Sequence, residues 1–304
     1  PQAELVLMSL NSDFSASNYK LAYKFEIYAI EDSKSVIIYI DGKTGGIIKQ
    51  KPIFHNCNSA TVNTIWNGNR NINTECNLTC SSYFLQDDCH GGSINKAVID
   101  IMDWGSITNT SSWLAPFGAS NITSSSNTWN NTNNQQFGGS VLWATKRSYW
   151  YFKTNFLRDS YDNSNGNVDG YINALWDNNG VTSANNASMN NGFMKVGRGT
   201  LTSLNSCFAT VDIIAHEYTH AVTQNAADLD YSGESGALNE SFSDIFGEMT
   251  ENHTLGSNDW LLGDEKSGGA LRNMANPNDT LTGCTFGTCG MQPDTYGGTF
   301  WAPT

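Results

Sequence analysis

Between residues 20 and 50 apolar and polar positions alternate, in "YKFEIYAI" and again in "SVIIYIDGKTGGIIK". A period of two is that of a strand whose side chains point to opposite faces. "DGKTG" supplies turn formers, so the segment predicts antiparallel strands. Residues 51–60, "KPIFHNCNSA", break the alternation and read as a linker. From 61 to 135 strands and long polar loops are expected, with "SSSNTWNNTNNQQ" (124–136) as a low-complexity, exposed tract. Over 139–157 the period changes, and Leu142, Tyr149, Phe152 and Phe156 fall on one helical stripe. Residues 160–210 return to loops and short strands. Two helices follow, roughly 211–226 and 235–252, separated by the turn-rich "ADLDYSGESG". Strands first and helices later make an α+β chain. The longest apolar runs, such as "VIIYI" (36–40), are too short to cross a bilayer, so a soluble chain with no membrane partner is expected.

The length, 304 residues, suffices for two domains and a sizeable core. A start at "PQAEL" and an end at "FWAPT" read as a fragment open at both ends. The net charge is −13, with 15% charged residues. Phosphate binding needs clustered Lys and Arg, so this balance argues against a nucleic-acid partner and leaves calcium binding or solubility. Four of seven cysteines, Cys57, Cys76, Cys80 and Cys89, lie close together. CxxxC at 76–80 has no matching second pair for a zinc knuckle, which favours a disulfide cluster and an oxidising, extracellular location. Cys284 and Cys289 bracket "TFGT" as a small stapled loop, and the odd count of seven, which includes Cys207, leaves one free thiol or a partner lost with the missing tail.

The sharpest chemistry lies in "DIIAHEYTHAV" (212–222). On a helix His216 and His220 project from one face, the spacing two ligands of one tetrahedral zinc need. Glu217 sits beside the metal position, where it could take a proton from water. HExxH alone is also compatible with an ordinary helix. In "SGALNESFSDIFGE" (235–248), Glu240 and Asp244 again share a face. An antiparallel helix could bring Glu240 to the metal as third ligand and Asp244 to the free ring nitrogen of a histidine. Three protein ligands leave the fourth position open, the mark of a catalytic site.

Together, "AHEYTHAV", Glu240 twenty residues after His220, and "GALNESFSDIFG" resemble the thermolysin family of neutral zinc metallopeptidases over most of residues 60–300. In zinc aminopeptidases the third ligand falls one residue sooner, where Asn239 stands. In metzincins a further His and a Gly follow, where Ala226 and Thr223 stand. The resemblance implies His216, His220 and Glu240 as ligands of one catalytic Zn²⁺ and Glu217 as general base. Asp244 would partner His216, and Asn239 would orient His220 through its backbone carbonyl. Tyr231 matches the tyrosine that meets the tetrahedral oxyanion, and Arg272 the arginine that holds the substrate carbonyl. "NNASMNNGFM" (185–194) resembles the edge-strand segment whose Asn186 side chain and Ala187 carbonyl hold an extended peptide. Ile213, Leu262 and Leu271 would line the first primed-side pocket and admit bulky hydrophobic residues. At least one structural Ca²⁺ is implied at Asp212, Glu251, Asp259 and Asp264.

Residues 1–55 resemble the end of the family's propeptide, acting as inhibitor and chaperone. Residues 56–210 then correspond to the β-rich peptidase lobe, and 211–304 to the central zinc helix and the start of an incomplete helical lobe. The whole reads as a secreted, monomeric zinc endopeptidase made as a zymogen, acting on proteins or peptides. A catalytic His with its Asp partner is expected just past Thr304, since none of the five histidines stands at that place. Two other readings are a catalytically inactive peptide-binding relative or truncated precursor, and an extracellular module with an accidental HExxH.

Overall fold

The computed structural model describes residues 3–9, 19–27, 36–52, 58–77, 79–89, 97–105, 119–178, 181–199, 203–279 and 291–301. Cys57 and the Cys284/Cys289 loop lie outside these. The chain divides into two compact units, Pro1–Cys57 with Asp88–Lys96, and Asn58–Asp87 with Ala97–Thr304.

In the first unit the alternating segments form a four-stranded antiparallel sheet, Ala3–Ser9, Tyr19–Ile27, Val36–Asp41 and Ile47–Pro52, in chain order. Its last hairpin is closed by Asp41, whose Oδ1 accepts the Lys43 and Thr44 amides at 2.8 and 3.0 Å. Lys20 Nζ reaches Asp41 Oδ2 at 2.8 Å. The linker is shorter than its composition suggested, since Pro52 ends one strand and Asn58 begins the next.

The second unit holds two larger sheets. One has the order Ser120–Asn121, Ile99–Asp103, Val168–Ile172, Phe193–Val196, Ala187–Asn190, with Gln86–Asp87 also pairing Ile99–Asp103. Its central three strands are parallel, while Ala187–Asn190 is antiparallel and, among the described residues, forms a free edge. The other sheet runs Thr123–Ser124, Tyr83–Phe84, Gly68–Cys76, Asn58–Thr64, Thr128–Trp129. Cys76 and Cys80 form a disulfide, Cys89 is also disulfide-bonded, and Cys207 is free and buried.

Helix α1, Asn133–Phe156, starts six residues before the predicted stripe. Thr132 caps it by accepting the Gln135 amide at 3.2 Å, so its polar first turn is a capping segment that apolar periodicity does not report. Leu142, Tyr149 and Phe152 are buried as expected, whereas Phe156 is half exposed at the helix end. The 124–136 tract is exposed at most positions, as expected, but it is anchored at three buried ones, Ser124, Trp129 and Gln135. Trp129 is fully buried and pairs in a strand, because one indole among the asparagines anchors the segment in the core. Gly139 lets α1 approach the sheet, since a Cβ there would stand 2.4 Å from Val62 Cγ2.

Helices α2, Val211–Ala226, and α3, Gly233–Leu255, cover the two predicted spans. α2 is buried along most of its length, its Ile214, Tyr218 and Val222 sharing one core with α1 and both sheets. Tyr218 stacks on Phe152 with ring centroids 5.9 Å apart. Gly247 brings α3 close to α2, where a Cβ would meet the Asp212 carbonyl oxygen at 2.7 Å. That approach sets the depth at which α3 presents Glu240, Ser243 and Asp244.

Candidate metal centre and cleft

α2 turns both predicted imidazoles to one point. His216 Nε2 and His220 Nε2 lie 2.9 Å apart. Glu240, carried by α3, places Oε2 3.5 Å from His216 Nε2 and Oε1 3.5 Å from His220 Nε2. Tetrahedral zinc with bonds near 2.05 Å separates its ligand atoms by about 3.3 Å, so the donor set fits that ion without rearrangement of the backbone.

The outward ring nitrogens are held as well. Asp244 Oδ1 lies 2.7 Å from His216 Nδ1, and Asn239 Oδ1 lies 2.8 Å from His220 Nδ1. The family resemblance implies the Asn239 backbone carbonyl for the second contact. That carbonyl points along the α3 axis into the helix ladder, and the side-chain amide makes the contact instead. Ser243 Oγ adds a second neighbour 3.1 Å from His220 Nδ1. It was missed, although its spacing of three from Glu240 and four from Asn239 puts it on the same face.

Asp244 also takes both arms of Arg272, Nε at 2.6 Å and Nη2 at 2.7 Å. Burial alone would raise the Asp244 carboxyl, but His216 and Arg272 outweigh it and hold it below the usual range. Burial alone would lower His216, but its contact with Asp244 and the charge of Glu217 raise it. Glu217 is 7% exposed, and burial lifts its carboxyl above the usual range against the pull of both histidines.

These groups open onto a cavity of roughly 630 Å³. One wall is the edge strand with Asn186 and Ala187. Gly197 N–H donates to Asn186 O at 2.9 Å, so by antiparallel alternation the Ala187 peptide groups face the open edge. Another wall holds Ile213, Leu262, Leu271 and Arg272, together with Phe208, which sequence reasoning did not single out. Tyr231 lines the mouth, is 69% exposed, and donates its hydroxyl to Glu240.

The acidic residues Asp212, Glu251, Asp259 and Asp264 gather where α2, α3 and residues 258–265 meet. Asp212 Oδ1 accepts the Ile213 amide at 2.7 Å, and Asp259 Oδ1 accepts the Leu261 amide at 2.9 Å. Glu248 and Glu265 join this group and were not predicted, although Glu248 and Glu251 share a helix face. Burial, then the neighbouring Asp212, pushes Glu248 up to about 7. Glu251 and Glu265 are raised for the same reasons. One oxygen each of Glu248 and Glu265 is buried without a hydrogen-bond partner among the described residues. No three of these carboxylates draw ligand oxygens within 4.8 Å of one another among the described residues.

The profile of the thermolysin metallopeptidase catalytic domain matches residues 59–224, and that of its alpha-helical domain matches 227–303. The chain belongs to the thermolysin metallopeptidase family. It is 29% identical over 275 residues to bacillolysin from Bacillus cereus, covering 86% of this chain and 44% of that protein. Bacillolysin from Brevibacillus brevis is 30% identical over 266 residues, 84% of this chain and 44% of that one. The extracellular elastase of Staphylococcus epidermidis is 30% identical over 269 residues, 85% and 48% of the two chains. The chain thus spans just under half the length of these curated relatives. The solved precursor of protealysin from Serratia proteamaculans matches at 24% identity with a TM-score of 0.46, over 62% of this chain and 55% of that one. As in other thermolysin-family members, the chain pairs a strand-rich first part with helices that follow.

Proposed function

We propose that the protein is a zinc-dependent endopeptidase that cuts internal peptide bonds of extended substrates. The observation that carries this reading is the convergence of His216 Nε2, His220 Nε2 and the Glu240 carboxylate beside buried Glu217, on the wall of a cleft with a free strand edge. His216, His220 and Glu240 would hold the metal, which when bound supplies Lewis acidity to the scissile carbonyl. Asp244 and Asn239 fix the imidazole tautomers that leave both Nε2 atoms free to bind.

A peptide lies along Ala187–Asn190 as an added strand, its backbone met by the Ala187 carbonyl and the Asn186 side chain. Glu217, buried beside the two imidazoles, takes a proton from the attacking water and returns it to the leaving nitrogen. Tyr231 swings its hydroxyl from Glu240 to the developing oxyanion, which its exposure permits. Arg272 closes the primed side with Ile213, Leu262 and Leu271. The carboxylates of Asp212, Glu251, Asp259 and Asp264, with Glu248 and Glu265, would take Ca²⁺ by drawing closer together than they stand here. Residues 1–55 act as the end of a propeptide, and the enzyme is secreted as a monomeric zymogen. Support for export comes from the disulfides and from the relative named an extracellular elastase.

The test is Glu217→Gln in the full chain. Zinc should remain near one per chain while hydrolysis of an unfolded protein substrate falls by about a thousandfold or more. A glutamine variant as active as the parent, or a parent that binds no zinc, would sink the reading.

A further inference from the structure

The apolar wall of the cleft hides a charge. Lys266, just after the strand Leu261–Leu262, is 4% exposed. Its stem runs beside Gly263 and Ile213, since a Cβ built on Gly263 would meet Ile213 Cδ1 at 2.7 Å and Lys266 Cδ at 3.6 Å. The ammonium ends 5.2 Å from the ring centroid of Phe208. Ile213 and Phe208 both line the cavity, beside Leu262 and Leu271. Among the described residues the ammonium makes no ion pair and no hydrogen bond, and its charge meets only the ring face of Phe208.

Taking an ammonium out of water without a counter-ion is costly, and an aromatic face returns only part of that cost. A methionine would fill the same space with no such penalty. Arg272, which lines the cavity itself, cannot serve an incoming anion as freely, because two of its arms are committed to Asp244.

We propose that Lys266 makes this pocket selective for a carboxylate side chain, aspartate or glutamate, on the residue immediately after the scissile bond, in place of the bulky apolar residue implied by the family resemblance. Leu262 and Leu271 pack against the methylenes of the incoming side chain. Its carboxylate reaches past Ile213 to the ammonium and exchanges the ring contact for a charge-assisted hydrogen bond. This assignment rests on the peptidase reading for the orientation of the bound chain.

The test uses the full, zinc-loaded chain and short fluorescent peptides that begin with Glu, Gln or Leu and share one tail, with affinity read by anisotropy. The Glu peptide should bind about tenfold tighter than the Gln or Leu peptide, and Lys266→Met should erase that ratio and favour Leu. A parent chain that binds the Leu peptide as well as the Glu peptide overturns the assignment, whether or not the variant folds. The same chains are then offered quenched peptides with Glu or Leu after the cut bond. Selective Glu binding without cleavage sinks the peptidase reading and leaves Lys266 assigned. Cleavage that prefers Leu sinks the Lys266 assignment and keeps the peptidase. No binding of any peptide overturns both.

Discussion

Replacing Asp244 by asparagine removes little volume but disrupts three contacts at once. The carboxylate sits 2.7 Å from His216 Nδ1, 2.6 Å from Arg272 Nε and 2.7 Å from Arg272 Nη2. An amide of the same shape accepts on one oxygen only, and its NH₂ would face a donor of Arg272 or His216. A hydrogen bond to a charged group contributes about 1.5–3 kcal/mol, and breaking a buried ion pair costs up to about 5 kcal/mol. The Arg272 side chain is 24% exposed, so solvent takes up part of the loss. We expect a stability decrease of about 2–4 kcal/mol, read as a lower urea midpoint. Loss of the group that fixes a ligand imidazole lowers metal affinity by about 10–100-fold. Competition with a chromophoric chelator measures it. Arg272→Met leaves Asp244 on His216 and should weaken zinc less than Asp244→Asn does. If the folded asparagine variant kept zinc within about twofold of the parent, Asp244 would not be positioning His216 and the argument would fail.

Other outcomes follow from the packing and the buried charges. Glu248 sits near 7 when folded against an ordinary 4.5, so its protonated form favours the fold. Its stability contribution is complete below about pH 4.5 and is lost as pH rises through about 7. In EGTA, Glu248→Gln should therefore stabilise the chain by about 1–2 kcal/mol at pH 8 and by much less at pH 5, and a larger gain at pH 5 would contradict this sign. Gly139→Ala gains helix propensity but drives a Cβ to 2.4 Å from Val62 Cγ2. It should cost about 1–3 kcal/mol in urea unfolding, relieved by Val62→Ala, whereas a stabilised single variant would disprove the close approach. Cys207 is fully buried and its thiol is pushed up to about 12, chiefly by burial. It should resist a thiol reagent at pH 8 until denaturant is added, and rapid labelling of the native chain would mean that this core opens.

What the sequence disclosed depended on range. His216 and His220 are four apart on one helix, so their shared face could be read directly, and Glu240 with Asp244 by the same rule. The extents of α2 and α3 emerged within a few residues, because the turn formers of "ADLDYSGESG" part them. Trp129 was hidden because composition averages over a tract, while one large side chain decides where that tract is anchored. The first turn of α1 was hidden because Thr132 and Gln135 build it by capping rather than by burial. Phe208 and Lys266 could not be found, since nothing local brings residues of two separate loops to one ring face. Glu248 and Glu265 looked like surface charges until the fold removed them from water. Asn239 was placed correctly but given the wrong atom, because helical geometry already spends its carbonyl.

The free edge at Ala187–Asn190 has a consequence for what the cleft can recognise. A strand edge bonds to backbone, and it bonds only to backbone that arrives extended. Helices and paired strands have already spent those groups. A folded protein therefore becomes a guest only while one of its segments is open, and how often that happens is a property of the guest. Two proteins carrying the same cleavable residues would be cut at rates ranked by their local opening. The cleft would then sort proteins by flexibility before it sorted them by sequence.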